Sequence, residues 1–312
     1  MRVLVTGATG FVGGHIARRL HAGGHEVTAT GRNPEKGLGL GVPFKPGHLD
    51  DPRTALELCR NTDAVVHCAA YSSPWGSPEQ FRLHNEQVTS NLLSAEVSRF
   101  IHISSAGVYF QQNEGLDAKE SDPLPARNGH PYLDSKRRAE LLVKESAGWV
   151  ILRPRAVYGP GDTALLPRIL RLMKPGLLPV FGTGHNLASL THVENLALAA
   201  ELSLSGPSGQ VYNVSDGEPV KLWPLLSAVA QHLSLPPIRW RLHERPAKWL
   251  ANFLEWFYSR WLPQREPPLT RYTLSLLCKS QTLNLDKARR ELGYQPLFST
   301  ENGVLKTLEA LC

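Results

Sequence analysis

Cysteine is scarce in this chain. Four occur in 312 residues (Cys59, Cys68, Cys278 and Cys312), and no two stand closer than nine positions. Without a CxxC pair there is neither a zinc ribbon nor a thioredoxin-type motif, and the pattern reads as unpaired thiols in a reducing compartment. The twelve histidines never form HExxH, which argues against a metal hydrolase, so no metal is expected. No basic run accompanies the net charge of +6, so no nucleic-acid partner is expected. A long uncharged run, Leu222 to Ile238, is broken by Gln231, His232 and Pro236-Pro237 and cannot span a bilayer. The chain opens directly on MRVLVTG, leaving no room for a signal peptide before the first apolar run. A cytoplasmic protein is the expectation, with peripheral attachment to a membrane left open.

What is present describes a globular protein of about two domains. Hydrophobic residues make up 42% and charged ones 20%, enough apolar material for large cores and too little charge for disorder. Short β-rich runs at 2–6, 25–30, 63–70, 99–104 and 149–152 alternate with helical stretches at 11–22, 52–60, 78–95 and 131–147. Strands alternating with helices predict an α/β fold, a doubly wound parallel sheet of Rossmann type covered on both faces. After about residue 160 the alternation stops and proline becomes frequent (Pro160, Pro167, Pro175, Pro179). We therefore expect a dinucleotide-binding domain over 1–160 and a smaller, mainly helical substrate domain over 161–312, with 192–214 returning to the first.

The stretch Thr6-Gly7-Ala8-Thr9-Gly10-Phe11-Val12-Gly13 follows a strand and opens a helix. Gly7 permits a tight turn, Gly10 lets the backbone approach a pyrophosphate, and Gly13 allows close helix–strand packing. Where the second strand ends, a carboxylate would accept from a ribose 2′-hydroxyl. This chain instead has Gly31-Arg32-Asn33 with Lys36 nearby. A guanidinium can fork onto a 2′-phosphate and stack on adenine, which favours NADP(H), with NAD(H) the alternative.

Tyr132-Leu133-Asp134-Ser135-Lys136 sets a phenol and an ammonium four residues apart on one helix face. A lysine charge beside a phenol favours the phenolate and draws it toward working range. Ser104-Ser105 closes a strand some thirty residues earlier, where a hydroxyl can hold a carbonyl oxygen.

Together TGATGFVG, HCAA, ISSAGVY, YLDSK and LRPRAVYGPGD resemble the extended short-chain dehydrogenase/reductase family, part of the NAD-dependent epimerase/dehydratase superfamily. The resemblance covers nearly the whole chain. It implies Tyr132 as general acid/base, Lys136 as the ribose ligand that lowers the tyrosine pKa, and Ser105 rather than Ser104 as the substrate-orienting hydroxyl. The implied cofactor site comprises Gly7, Thr9, Gly10, Phe11, Val12, Arg32, His48, Leu49, Ala69, Ala70, Tyr132, Lys136, Pro154 and Val157. Asn85 matches a position kept for structure near the site. Two departures stand out. His48 replaces an aspartate that often contacts adenine, and the helix before the fifth strand is shorter than the family norm by about four residues.

The resemblance also sorts reactions. Sugar-nucleotide dehydratases carry an Asp-Glu pair after the catalytic hydroxyl residue; here those positions are Ala106 and Gly107. Epimerases usually present an arginine to the substrate diphosphate four residues before the histidine of a stretch such as Leu190-Thr191-His192; here it is Ala188. Hydride transfer between nicotinamide and a ketone or secondary alcohol remains. A nucleotide-sugar epimerase or reductase is the alternative, and a non-catalytic NADP-binding sensor is a third reading. The pieces Glu266-Pro267-Pro268-Leu269-Thr270-Arg271 and Asp286 to Tyr294 are similar to the 3β-hydroxysteroid dehydrogenase and 2-alkyl-3-ketoacid reductase branch, which implies a large apolar substrate, steroid-like or long-chain. Arg155, His192 and His130 are further candidates near the site, Arg155 for a substrate carboxylate.

Residues 246–262 put Lys248, Asn252, Glu255 and Ser259 on one narrow stripe of a helix otherwise covered by Trp249, Leu250, Phe253, Leu254, Trp256, Phe257, Trp261 and Leu262. Residues 239–271 hold seven basic and three acidic side chains and four of the seven tryptophans. The expectation is a helix packed into the second core or roofing an apolar pocket. A bilayer interface and a homodimer face are the alternatives.

Overall fold

The computed structural model describes residues 1–110 and 113–310. Its main sheet has seven parallel strands in the order Gln210–Val214, Trp149–Pro154, Arg99–Ile103, Ala64–His67, Arg2–Thr6, Glu26–Gly31 and Phe44–Pro46. The strand Arg2–Thr6 pairs on both sides, Val3 facing Val27 and Ala64. Its residues Val3, Leu4 and Val5 are fully buried, which is why the run is continuously apolar instead of alternating. The chain builds outward from this strand, then returns to Ala64–His67 on the other side. A crevice opens at that reversal, outside the carboxyl ends of the strands.

Each face of the sheet is covered by its own core. Val3, Val5 and Val66 meet Ile16, Ala17 and Leu20 of helix Phe11–Ala22, together with Leu196, Ala199 and Ala200 of helix Val193–Leu202. On the other face, Leu4, Val65, Phe100 and Ile151 pack with Ala55, Val88, Leu92 and Val143. The short strand Phe44–Pro46 gave no sequence signal, because three residues with one proline show no periodicity.

Three local features position the site. Helix Pro78–Phe81 starts on a capping box between Ser77 and Gln80. It then widens into a π-helical stretch, Arg82–Gln87, before resuming as Val88–Leu93. The pattern over 78–95 predicts one regular helix; the π stretch instead turns Asn85 fully inward. Gly7 has φ +66°, and a Cβ there would come within 2.7 Å of the Ala69 nitrogen. The loops after the first and fourth strands of the chain therefore touch through backbone alone.

The second region is less purely helical than its composition suggests. A four-stranded sheet in the order Val220–Lys221, Leu187–Ala188, Gln281–Leu283 and Gly115–Ala118 links it to the first. Its own core gathers Met173, Leu178, Phe181, Trp223, Leu226, Leu274 and the two alanines of helix Glu244–Trp261, Ala247 and Ala251. That helix overturns the expectation of a core or pocket-roofing element. Its aromatic face points outward, with Trp249 69%, Trp256 61% and Trp261 62% exposed. The small alanines approach the core, and part of the polar stripe turns toward the protein. No helix among the described residues is long and apolar enough to cross a membrane.

Candidate active site

One cavity of about 540 Å³ runs along the crevice. It is lined by Gly7, Thr9, Gly10, Phe11, Val12, Arg32, His48, Leu49, Ala69, Ala70, Ser105, Tyr132, Lys136, Pro154 and Val157. The catalytic and cofactor-site residues that the resemblance implies thus face one space, though they come from seven separate stretches of chain. Lys36, named beside Arg32, is not part of the lining; its backbone N–H instead donates to the Asn33 side chain at 2.9 Å.

The cradle for a dinucleotide is built by exclusion. A Cβ on Gly13 would collide with the Gly7 carbonyl, and one on Gly31 would meet Thr9 Oγ1 at 2.6 Å. Backbone N–H groups at the start of helix Phe11–Ala22 are therefore accessible to a phosphate, with no side chain capping them. Thr6 Oγ1 fixes the opposite lip by accepting from the backbone N–H groups of Cys68 and Ala69, both at 3.2 Å. Arg32 directly follows strand Glu26–Gly31, exposed at the rim. His48 is also on the rim, with Nδ1 3.9 Å from Asp50. These residues fit a nicotinamide dinucleotide.

Ser105 caps a 3-10 turn over Ala106–Tyr109, its Oγ accepting from Gly107 N–H at 3.2 Å, and its hydroxyl is close enough to Tyr132 to act on the phenol. Ser104 instead donates to Glu140 at 2.6 Å. Glu140 is itself clamped by Arg153, with contacts of 2.9 and 2.5 Å, and both residues are buried. Arg153 goes on to donate to the Tyr109 hydroxyl at 2.7 Å. Both serines line the cavity, but the Ser104 hydroxyl is committed to Glu140, which leaves Ser105 as the serine beside Tyr132. A Cβ on Gly107 would meet Leu133 Cδ2 at 2.5 Å, so a carboxylate side chain at that position would require Leu133 to move.

Tyr132 lies in an aromatic box, its ring centroid 6.0 Å from Phe81 and 6.4 Å from Tyr272. Burial raises its pKa above the ordinary phenol value, Tyr272 adds to this, and the Ser105 hydroxyl opposes it. Proximity of Lys136 in sequence predicts the opposite direction. Lys136 is not among the groups that shift the phenol; its Nζ donates to the Ile103 carbonyl at 2.8 Å. Burial pulls the Lys136 pKa down to about 8. Tyr132 therefore stands as a protonated donor, the form a general acid needs.

Behind these groups runs a buried polar chain. His67 Nδ1 meets Thr6 Oγ1 at 2.8 Å and its Nε2 meets Thr89 Oγ1 at 3.0 Å. Thr89 Oγ1 donates to the Asn85 carbonyl at 2.6 Å. Asn85 Nδ2 donates to Ser135 Oγ at 2.8 Å, and Ser135 Oγ to the Tyr132 carbonyl at 2.7 Å. Burial drives the His67 pKa down to about 3, so it is a neutral connector. The π stretch thus ties the catalytic helix to the strand ends through Asn85.

Of the three further candidates, only Arg155 lines the cavity. It is buried, with Nε donating to the Gln281 carbonyl at 3.0 Å and the guanidinium 5.5 Å from the Phe110 ring centroid. Among the described residues it has no carboxylate partner, and burial lowers its pKa to about 10. His130 instead faces a second cleft, its Nε2 3.1 Å from the Pro74 carbonyl. His192 caps helix Val193–Leu202 away from the cavity. The sequence reading missed Tyr71, Pro74, Leu165, Arg168, Tyr272 and Leu276 on the substrate side of the cavity. Tyr272 directly follows the Pro-Pro-Leu-Thr-Arg stretch and was open to inference; the loop positions carried no signal.

Comparison with known proteins agrees with this geometry. The model of the "NAD dependent epimerase/dehydratase family" matches residues 3–215. A 2-alkyl-3-oxoalkanoate reductase of Stenotrophomonas maltophilia is 31% identical over 99% of both chains. A 4-hydroxy-2-methyl-3-oxo-4-farnesyl-3,4-dihydroquinoline-1-oxide ketoreductase of Stigmatella aurantiaca is 32% identical over 97% of this chain and 95% of its own. Among solved structures, a dTDP-glucose 4,6-dehydratase of Streptomyces venezuelae with NAD bound superposes with a TM-score of 0.77 at 26% identity, covering 99% of this chain and 96% of its own. With a glycine-loop cradle, a serine–tyrosine–lysine wall and reductases as its relatives, the chain belongs to the NAD dependent epimerase/dehydratase family, as an oxidoreductase of the extended short-chain type.

Proposed function

We propose that the protein uses NADP(H) to reduce the ketone of an apolar substrate bearing a carboxylate close to the carbonyl, a long-chain 3-oxo acid being the type. The observation that carries this is the convergence of Ser105, Tyr132 and Arg155 on one cavity. Arg155 is a buried cation with no carboxylate partner among the described residues, and such a charge is costly unless a ligand pairs with it. Tyr272 lies between the two functions. Its ring is 6.4 Å from that of Tyr132, and the Arg155 charge acts on its hydroxyl. A substrate carrying both a carbonyl and a carboxylate would meet both groups in this one cavity.

In this reading Ser105 donates to the carbonyl oxygen, and Tyr132 delivers its proton to that oxygen as negative charge develops there. Lys136 binds the ribose hydroxyls, its Nζ already aimed along the strand end by Ile103. Arg32 forks onto a 2′-phosphate, supporting NADP(H) over NAD(H). Bound nicotinamide supplies the hydride. Leu165, Tyr272 and Leu276 offer the alkyl chain an apolar wall, where burial gains roughly 25 cal/mol per Å². The alternative, a nucleotide-sugar substrate, is less well served: position 188, where the epimerases present an arginine, is an alanine buried in strand Leu187–Ala188 and offers no guanidinium to clamp a diphosphate.

The test is oxidation of 2-alkyl-3-hydroxyalkanoates of graded chain length with NADP+, beside UDP-sugars. Turnover should rise with chain length. Tight UDP-sugar binding without turnover of any hydroxy acid or apolar alcohol would defeat the reading.

A further inference from the structure

We propose that helix Glu244–Trp261 docks the protein on the surface of a membrane containing anionic lipid. Of its 18 residues, only Ala247 and Ala251 are buried. The opposite face presents Trp249, Phe253 and Trp256 to solvent, and Trp261 is exposed at the end of the helix. The rings of Trp249, Phe253 and Trp256 form one continuous row, with Trp249 and Phe253 centroids 5.8 Å apart and Phe253 and Trp256 6.1 Å apart. Trp240, just before the helix, is exposed as well. A helix in water turns such a face inward; this one turns it out and uses alanines to meet its own core. Large contiguous aromatic patches mark interaction sites, and tryptophan beside arginine suits the headgroup boundary of a bilayer.

Charge selects the occupant. All three acidic residues of 239–271 are held internally: Glu244 by Lys279 at 2.9 Å, Glu255 by Arg271 at 2.7 Å and Glu266 by Arg168 at 2.9 Å. By contrast Arg239, Arg241, Arg245, Arg260 and Arg265 are exposed, and none has an ion-pair partner among the described residues. Arg260 lies over the Trp261 ring at 5.1 Å, binding cation and aromatic into one surface. Two copies of this face would set uncompensated arginines against each other, which opposes a homodimer here. An anionic bilayer complements both the rings and the charge. The helix is too polar to span and would lie in the plane of the interface. Its polar edge, Asn252, Glu255 and Ser259, faces the second cleft beside Pro74 and His130, so docking leaves the catalytic cavity intact.

The full-length protein should co-sediment with vesicles of phosphatidylcholine mixed with phosphatidylserine, and far less with phosphatidylcholine alone. Its tryptophan emission should shift to the blue on binding, and added salt should release it. Trp249→Ser with Phe253→Ser should weaken partition at least tenfold and leave NADPH binding unchanged. Arg245→Glu with Arg260→Glu and Arg265→Glu, which keeps the aromatic row, should weaken it at least about a hundredfold, since each basic residue near an anionic surface contributes about fivefold. Equal sedimentation with the two vesicle types, none with either, or wild-type binding by both variants would overturn the proposal. A wild-type dimer that the serine variant makes monomeric, without vesicle binding, would assign the face to a second copy and overturn it too.

Discussion

Replacing Lys136 by methionine separates stability from function. The ammonium is buried, has no ion-pair partner among the described residues and rests on one carbonyl, Ile103 O. Burial lowers its pKa from 10.5 to about 8, so keeping it charged in the folded protein costs about 3 kcal/mol at neutral pH. Methionine keeps the stem volume, removes that cost and forfeits one hydrogen bond of about 1 kcal/mol net. The cofactor-free variant should therefore be more stable than wild type by about 2 kcal/mol, a rise of roughly 4–8 °C in Tm. The sign with pH follows from the depressed pKa of a base. The cost is fully present below about pH 8, where both states bind the proton, shrinks as the folded lysine deprotonates first, and is gone above about pH 10.5. Thermal unfolding of both proteins across this range, without nucleotide, measures the difference. A variant less stable than wild type at neutral pH, or a difference that does not fall with rising pH, would refute the reasoning. The same variant should lose turnover and bind cofactor more weakly.

Tyr132→Phe should leave NADPH affinity nearly intact and lower turnover at least about a hundredfold; wild-type turnover would remove the phenol from the mechanism. Isothermal titration should find NADPH bound more tightly than NADH, with Arg32→Ala costing roughly 1.5–3 kcal/mol of that preference; equal dissociation constants in the wild type would count decisively against a 2′-phosphate contact. Arg155→Met should raise KM for a long-chain hydroxy acid roughly ten- to a hundredfold and spare its methyl ester; a parallel loss on both substrates would reduce Arg155 to a packing role.

Most of the crevice was legible because its chemistry depends on local grammar. Gly7, Gly10 and Gly13 announce a turn and a close approach that few other residues permit, and Tyr132 and Lys136 share a helix face by spacing alone. What spacing cannot convey is partnership across the fold. Ser104 and Ser105 are neighbours of the same type, yet one donates to Glu140 and the other faces Tyr132. The difference is the alternation of a strand end, which fixes that they diverge and not which one stands beside Tyr132. The direction of the Tyr132 shift was hidden for a similar reason. It depends on Phe81 and Tyr272, separated from it by about fifty and a hundred and forty positions. Asn85 required the π stretch, which no apolar period encodes.

The aromatic helix shows where periodicity ends. Spacing over 246–262 defines two faces of an amphipathic helix, and the hydrophobic effect in water assigns the apolar one to the interior. That assignment presumes that water is the only solvent. The alanines at 247 and 251 were the overlooked signal. They lie four apart on the side opposite Trp249 and Phe253, and small side chains in series let a helix approach a neighbour closely while its large ones stay outside. Helix Arg271–Cys278 takes that approach, placing Tyr272 and Leu276 in the catalytic cavity. Bulky rings on the inner face would push this neighbour away and displace the substrate wall. Packing the site thus requires the small face inward, and the rings are left to find a partner outside the protein.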